Sequence, residues 1–284
     1  VNILHTTYTV PGYNSLPMSL DLRYRTDLDS MNLIVYAHGI NGFKDWGGMD
    51  LIADKFAAEG FAFAKFNFSH NGTTPARPTE FADLEAYRED TYLKRQFDLE
   101  AILSFLDSHL KDTPIKTERP SLIGHSRGGA DCILFAANSP KIKALITWAS
   151  VAHARTPWNN LDADEIKEWK INGFYTRKNG RTKQDMPIGY GLFNEYQSNK
   201  DFLDLERAAR SINVPWLIIH GDEDEAVFVK DAYDLKSWNT AAEAQNIPDT
   251  GHTFGRKHPW PESKLPEASI RKVDHSLEFL KRVL

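Results

Sequence analysis

A single cysteine, Cys132, among 284 residues leaves no intrachain disulfide and no cysteine-built metal site. It falls inside the small apolar run Ala130–Ala137 and reads as a small buried helix side chain rather than a nucleophile. No stretch reaches the roughly 18 apolar residues that a membrane-spanning helix needs. Positive charge is not in excess: 34 Lys and Arg against 39 Asp and Glu give a net charge of −5, so nothing argues for nucleic acid as a partner. The ten histidines include no His-Glu-x-x-His pair, and neither a phosphate-loop lysine motif nor a dinucleotide glycine fingerprint occurs. The expectation is therefore no metal and no cofactor. The residues after Val1 do not have the form of a leader, which makes the cytoplasm the expected location. The sequence does not say whether the chain forms a homo-oligomer.

What is present is an ordinary globular composition, 41% hydrophobic and 26% charged, in a chain long enough for one sizeable core over 1–284. Residues 1–30 read as short strands and turns, with Met18–Arg25 alternating as a strand and Pro11-Gly12-Tyr13-Asn14 as a turn. Beyond them a repeating order emerges. Asn32–Ala37 is a strand, Met49–Glu59 a helix ended by Gly60, and Phe61–Asn67 a strand. A long polar loop, Ser69–Leu84, precedes the clearest helix, Thr91–Leu110, with Leu93, Phe97, Ile102, Phe105 and Leu106 as its apolar face. Pro114 and Pro120 fall in the connection that follows. Ser121–Gly124 is the next strand, Ala130–Ala137 a helix, and Lys143–Ala149 a strand. Such an alternation is the signature of a doubly wound, mostly parallel α/β sheet.

The rhythm breaks over Val151–Arg210, which reads as an insertion at 152–210, too short and polar for a large core of its own. Asp162 with Glu165 marks a helix start, and Asn179-Gly180 between extended flanks predicts a two-residue hairpin turn. Phe202–Ile212 is a further helix candidate. Val214–His220 resumes the sheet, Val229–Asn239 is helical, Ala242–Pro248 is a last short strand, and Ile270–Leu284 a closing amphipathic helix.

The run Pro120–Ala130 contains Gly124-His125-Ser126-Arg127-Gly128. The pentapeptide alone is a weak signal in a chain with 17 glycines. Between a strand and a helix it becomes a nucleophile elbow: a sharp turn that exposes the Ser126 hydroxyl and leaves the Arg127 backbone N–H free to face an oxyanion. His38-Gly39-Ile40-Asn41-Gly42 follows another strand and reads as a second donor loop or as a plain turn. An acid within 222–225 and His252 follow two later strands. The order serine, acid, histidine suits a hydroxyl nucleophile, a base that takes its proton and a carboxylate that orients the base. His38 and His125 read as loop-shaping hydrogen bonders, while His258 and His275 lie in a Pro-rich stretch and in the closing helix.

These four motifs, in this order, resemble the α/β-hydrolase superfamily from about residue 15 onward. The insertion resembles the cap of bacterial cinnamoyl and feruloyl esterases, and the core also resembles the catalytic domains of prolyl-oligopeptidase-type proteins. The resemblance implies an α/β-hydrolase sheet with a small inserted cap that contains a β-hairpin. It implies Ser126 as nucleophile, His252 as base and Asp224, rather than Asp222, as the acid, from the match of Gly221–Val227 to the family's Gly-x-x-Asp-x-x-Val loop. By the same match the N–H of Ile40 joins that of Arg127 in the oxyanion hole. The expected activity is hydrolysis of a small-molecule carboxylic ester. A prolyl-oligopeptidase-like peptidase, a thioesterase, and a catalytically silent scaffold used for binding are the alternatives. Trp158, Trp169, Phe174, Tyr175, Tyr190, Phe193 and Tyr196 either wall the acyl site or form the insertion's own core. Arg177, Lys178, Arg181 and Lys183 either solvate the hairpin or bind an acidic substrate.

Overall fold

The computed structural model describes residues 2–284. In chain order the strands are β1 (Ile3–Pro11), β2 (Pro17–Arg25), β3 (Met31–Ala37), β4 (Phe61–Phe66), β5 (Ile115–His125), β6 (Leu145–Trp148), β7 (Phe174–Lys178), β8 (Asp185–Gly189), β9 (Trp216–Gly221) and β10 (Glu243–Ile247). The helices are α1 (Met49–Ala58), α2 (Leu84–Arg88), α3 (Tyr92–His109), α4 (Arg127–Asn138), α5 (Ala163–Asn172), α6 (Gly191–Ser198), α7 (Leu205–Ser211), α8 (Lys230–Trp238) and α9 (Glu267–Val283). Eight strands form one sheet in the order β1-β2-β4-β3-β5-β6-β9-β10, and β7 pairs with β8 in a separate hairpin. From β4 onward every neighbouring pair in the large sheet is parallel, while β1 and β2 form an antiparallel edge.

The central strands are apolar on both faces because helices cover both. Along β3, Leu33, Val35 and Ala37 face one layer and Ile34 and Tyr36 the other, the two-residue period of a strand. α1 and α9 cover the Ile34 side through Met49, Ile52, Phe56, Val273 and Leu277. α3, α4, α7 and α8 cover the opposite side, where α4 contributes Ala130, Cys132, Ile133 and Leu134. Burial also pushes the Cys132 thiol well up from its ordinary value, as expected of an inert side chain. No described helix is long and apolar enough to cross a membrane.

Three local readings need correction. Pro120 lies inside β5, at a place where the register against β3 slips; a proline is tolerated there because the ladder is already interrupted. On α3, Phe97 is 50% exposed and Leu93 only half-buried, while Tyr92, Arg95, Asp98 and Leu99 are buried. The helix is turned toward charges that find partners inside the protein, which hydrophobic spacing cannot reveal. Asn179-Gly180 does not form a two-residue turn: residues 179–184 connect β7 to β8, and Asn179 Oδ1 accepts from the N–H groups of Arg181 (2.9 Å) and Thr182 (3.0 Å). By contrast, α5 begins on the expected capping box, with Asp162 accepting from Glu165 N and Glu165 accepting from Asp162 N. α2 and α6 are helices that hydrophobic spacing does not mark in the sequence.

Candidate active site

The parallel strands deliver their following loops to one edge of the sheet, so residues far apart in sequence meet there. Ser126 follows β5, Asp224 follows β9, His252 follows β10 and Ile40 follows β3. At Ser126 the backbone has φ 58° and ψ −125°, a conformation that strains any side-chain-bearing residue by about 1–3 kcal/mol. The turn is enforced by close approach. A Cβ on Gly128 would stand 2.4 Å from Ala37 O, so only glycine lets α4 start directly beneath the end of β3. Arg127 is the first residue of α4, where a backbone N–H has no intrahelical acceptor.

His252 Nδ1 lies 2.7 Å from Asp224 Oδ2, and Asp224 Oδ1 accepts from the N–H groups of Ala226 and Val227, both at 2.9 Å. Burial alone would raise the Asp224 carboxyl, but hydrogen bonds from His220, His252 and Val227 outweigh it and hold the group well below the usual carboxylate range. Facing a carboxylate, Nδ1 of His252 carries the proton and Nε2 keeps its lone pair. Among the described residues no hydrogen bond joins Ser126 Oγ to His252. The two side chains instead line the same cavity of about 210 Å³, together with Ile40 and His125. Catalytic hydrogen bonds are often open before substrate arrives.

The two motif histidines are spacers with fixed tautomers. His125 Nε2 donates to His252 O at 3.0 Å, its ring lies 4.8 Å from that of His252, and burial followed by the His252 charge lowers its affinity for a proton. His38 Nδ1 donates to Gly39 O at 2.8 Å, while its Nε2 accepts from Asn71 Nδ2 (3.2 Å) and Phe68 N (3.4 Å). Burial, then the neighbouring Arg95, lowers His38 to about 3. Kept neutral, it ties the Gly39–Gly42 loop to the loop after β4, and Asn71 adds a bond to Gly42 O.

Sequence reasoning missed several residues around this edge. His220 Nε2 donates to Val227 O at 2.8 Å and stands 3.3 Å from Asp224 Oδ2; its position four residues before Asp224, at the end of a strand, was the available signal. Arg95 and Arg127 lie buried among Asp90 and Asp131. Arg95 reaches Asp90 at 3.0 Å and Asp131 at 2.7 Å, and Arg127 reaches Asp90 at 2.8 Å. Arg95 also donates to His38 O, so the cluster braces the end of β3 against α3 and α4. Over 152–210, the aromatic side chains pack on one another: Trp158, Trp169, Tyr190 and Phe193 have ring centroids 5.0–6.4 Å apart. None of the seven aromatics lines the cavity; the residues of this segment that do are Asn179, Gly180 and Arg181, at the hairpin tip. His258 stacks beside Phe43 and Trp46, and His275 sits on exposed α9 surface beside Glu278.

Among the described residues one grouping has the geometry of a metal site, Asp21, Asp45 and Asp50. Its centre is already filled by ammonium groups. Lys65 Nζ lies 3.0 Å from Asp21 and 2.9 Å from Asp50, and Lys44 Nζ lies 2.5 Å from Asp21 and 2.7 Å from Asp45. The cluster runs from buried Asp21 to exposed Asp50 and serves as an ionic joint between β2, β4, the loop before α1 and α1 itself.

The comparisons with known proteins agree with this architecture. No family model matches the chain. The quorum-quenching protein AidA of Acinetobacter baumannii is 28% identical over 115 residues, 40% of this chain, and the match spans only 34% of that protein's length. Est1E from Butyrivibrio proteoclasticus, solved with ferulic acid bound, superposes with a TM-score of 0.72 at 17% identity, covering 97% of this chain and 99% of that one. The esterase domain of a Rhodothermus marinus protein gives 0.65 at 17% identity over 98% of both chains. A dienelactone hydrolase from Anabaena variabilis gives 0.63 at 14% identity over 100% of both. At such identities the likeness establishes the fold, and the fold is that of the α/β-hydrolases.

Proposed function

We propose that the protein is a serine hydrolase of small carboxylic esters, with Ser126 as nucleophile, His252 as general base and Asp224 as its orienting acid. The observation that carries the reading is the 2.7 Å contact of Asp224 with Nδ1 of His252, a histidine that lines the same cavity as Ser126. His252 Nε2 takes the Ser126 proton as Oγ attacks the ester carbonyl. The N–H groups of Ile40 and Arg127 receive the oxyanion, the type of donor whose loss costs about 3–4 kcal/mol of transition-state stabilisation. His252 then passes the proton to the departing alcohol, and a water repeats the sequence on the acyl-enzyme. Residues 152–210 act as a cap on this single domain, reaching the cavity through the hairpin tip.

The likeness to Est1E makes hydroxycinnamoyl esters worth including among the first substrates. Short p-nitrophenyl esters, feruloyl esters, matched thioesters and aminoacyl amides should be ranked by kcat/KM with wild type and Ser126→Ala. Ester turnover that falls at least ~1,000-fold in Ser126→Ala is expected. A higher kcat/KM for amides or thioesters, after allowing for intrinsic reactivity, would replace the ester reading. Equal turnover by both proteins would remove Ser126 from the chemistry.

A further inference from the structure

The cavity is lined by two arginines and three histidines and by no aspartate or glutamate. That is unusual within this chain, whose acids outnumber its bases by 39 to 34. The acid of the candidate triad, Asp224, is turned to His252 and His220 and does not line the cavity.

Arg256, four residues after His252, is only 4% exposed yet forms no ion pair with any carboxylate among the described residues. Its Nε and Nη1 are spent on the carbonyls of Thr253, Trp46 and Gly47, all at 3.3 Å, which fix the guanidinium beside the cavity. A desolvated cation without a counter-ion is costly, so a bound anion would recover free energy that the empty site forgoes. Arg181 lines the same cavity from the hairpin tip, where it is exposed. Its guanidinium stands 5.5 Å from the Phe43 ring centroid and 5.9 Å from that of Phe81. Among the described residues its side chain donates no hydrogen bond and joins no ion pair, so the contact with the rings holds the plane while the N–H edge stays free. The tip is not loose: Asn179 is 4% exposed and its side chain accepts from the Arg181 N–H at 2.9 Å.

We propose that the cavity selects esters that carry a second, ionised carboxylate in the acyl part, such as hemiesters of short dicarboxylic acids. Arg181 receives the carboxylate through its free fork of donors, and Arg256 adds a second, fixed positive charge to the same lining. A planar guanidinium matches a carboxylate bidentately, and a cleft lined by one sign of charge concentrates ligands of the other. This inference rests on the ester-hydrolase reading and specifies its substrate.

The test compares p-nitrophenyl hemisuccinate with its methyl ester, which has the same reacting bond and no charge. Wild type should favour the charged ester by about tenfold or more in kcat/KM, an advantage worth at least one charge-assisted contact. Arg181→Gln should lose that preference, mainly through a higher KM for the charged ester, so that the charged-to-neutral ratio of kcat/KM falls to about one. Arg181→Lys, which keeps charge but not the fork, should fall between. No preference in wild type, or an equal loss on both esters in Arg181→Gln, would overturn the proposal. Calorimetric titration with glutarate, on wild type, Ser126→Ala and Arg181→Gln, reads the anion site without turnover. Binding to the first two and its loss in the third supports the site even if no ester is hydrolysed, in which case only the ester chemistry fails. Absence of binding to wild type overturns the anion site whatever the esterase assays give.

Discussion

Two pairs of arginines occupy opposite roles at one edge of the sheet. Arg95 and Arg127 are buried with two aspartates, so their charges cancel inside the protein and their geometry is spent on holding β3, α3 and α4 together. Arg181 and Arg256 line the cavity with no acid at all. The same side chain acts as structural cement where its counter-charge is internal and as a ligand-facing group where the counter-charge is missing. Burial alone does not separate the two roles: Arg181 is exposed, but Arg256, at 4%, is nearly as buried as Arg95 at 1%. The presence or absence of a paired carboxylate does.

The comparison breaks most visibly in stability. Arg95→Met abandons Asp90 and Asp131 to Arg127 alone, leaving about one uncompensated buried carboxylate; a loss of ~3–5 kcal/mol in urea unfolding is expected. Arg256→Met gives up three contacts with backbone carbonyls and strands no carboxylate, so ~1–2 kcal/mol is expected instead. Equal losses would erase the distinction between the two pairs.

A middle-sized effect comes from His38, held neutral above about 3 by burial and by Arg95. The unfolded chain protonates this imidazole near its ordinary value of about 6.5, whereas the folded chain resists until about 3. Its contribution to stability is therefore complete above about 6.5 and is lost progressively as pH falls, by ~2 kcal/mol at pH 5. Urea midpoints of wild type and His38→Gln across pH 4–8 should differ in slope by that one proton over the acid limb. Parallel curves would show that His38 does not supply it. The smallest expected effect lies at the hairpin tip. Asn179→Ala removes the side-chain oxygen that accepts from two backbone N–H groups, costing ~1 kcal/mol by thermal melting. It should raise KM for a charged ester more than for a neutral one, and an unchanged ratio would separate the tip from recognition.

What could be read from the sequence divides along the same line. Much of the sheet edge was legible because its parts carry local marks: for Ser126 an apolar run and then glycines, for Asp224 an apolar run that ends in Gly221. The strand before His252, Glu243–Ile247, has no apolar run, and only Ile247 of it is buried. The face of α3 was misread because Arg95 and Asp98 look like solvent-facing positions until their partners appear. Arg95 pairs with Asp131, 36 residues later, and Asp98 accepts from the backbone N–H of Tyr13, 85 residues earlier. Likewise Asn179-Gly180 has the composition of a tight turn. The side chain of Asn179 instead caps a six-residue connection, and only that choice carries Arg181 over the cavity. Long-range pairing of polar groups leaves no periodic trace in a sequence, and those groups shape the wall that would choose the substrate.

The central claim is that Ser126 attacks the substrate. Treating the protein with a fluorophosphonate and mapping the adduct by peptide mass spectrometry tests it directly. The account predicts one adduct per chain, on the peptide that contains Ser126, with esterase turnover lost in proportion and no adduct in Ser126→Ala. Turnover of esters by an unlabelled protein, or an equal adduct in Ser126→Ala, would contradict it.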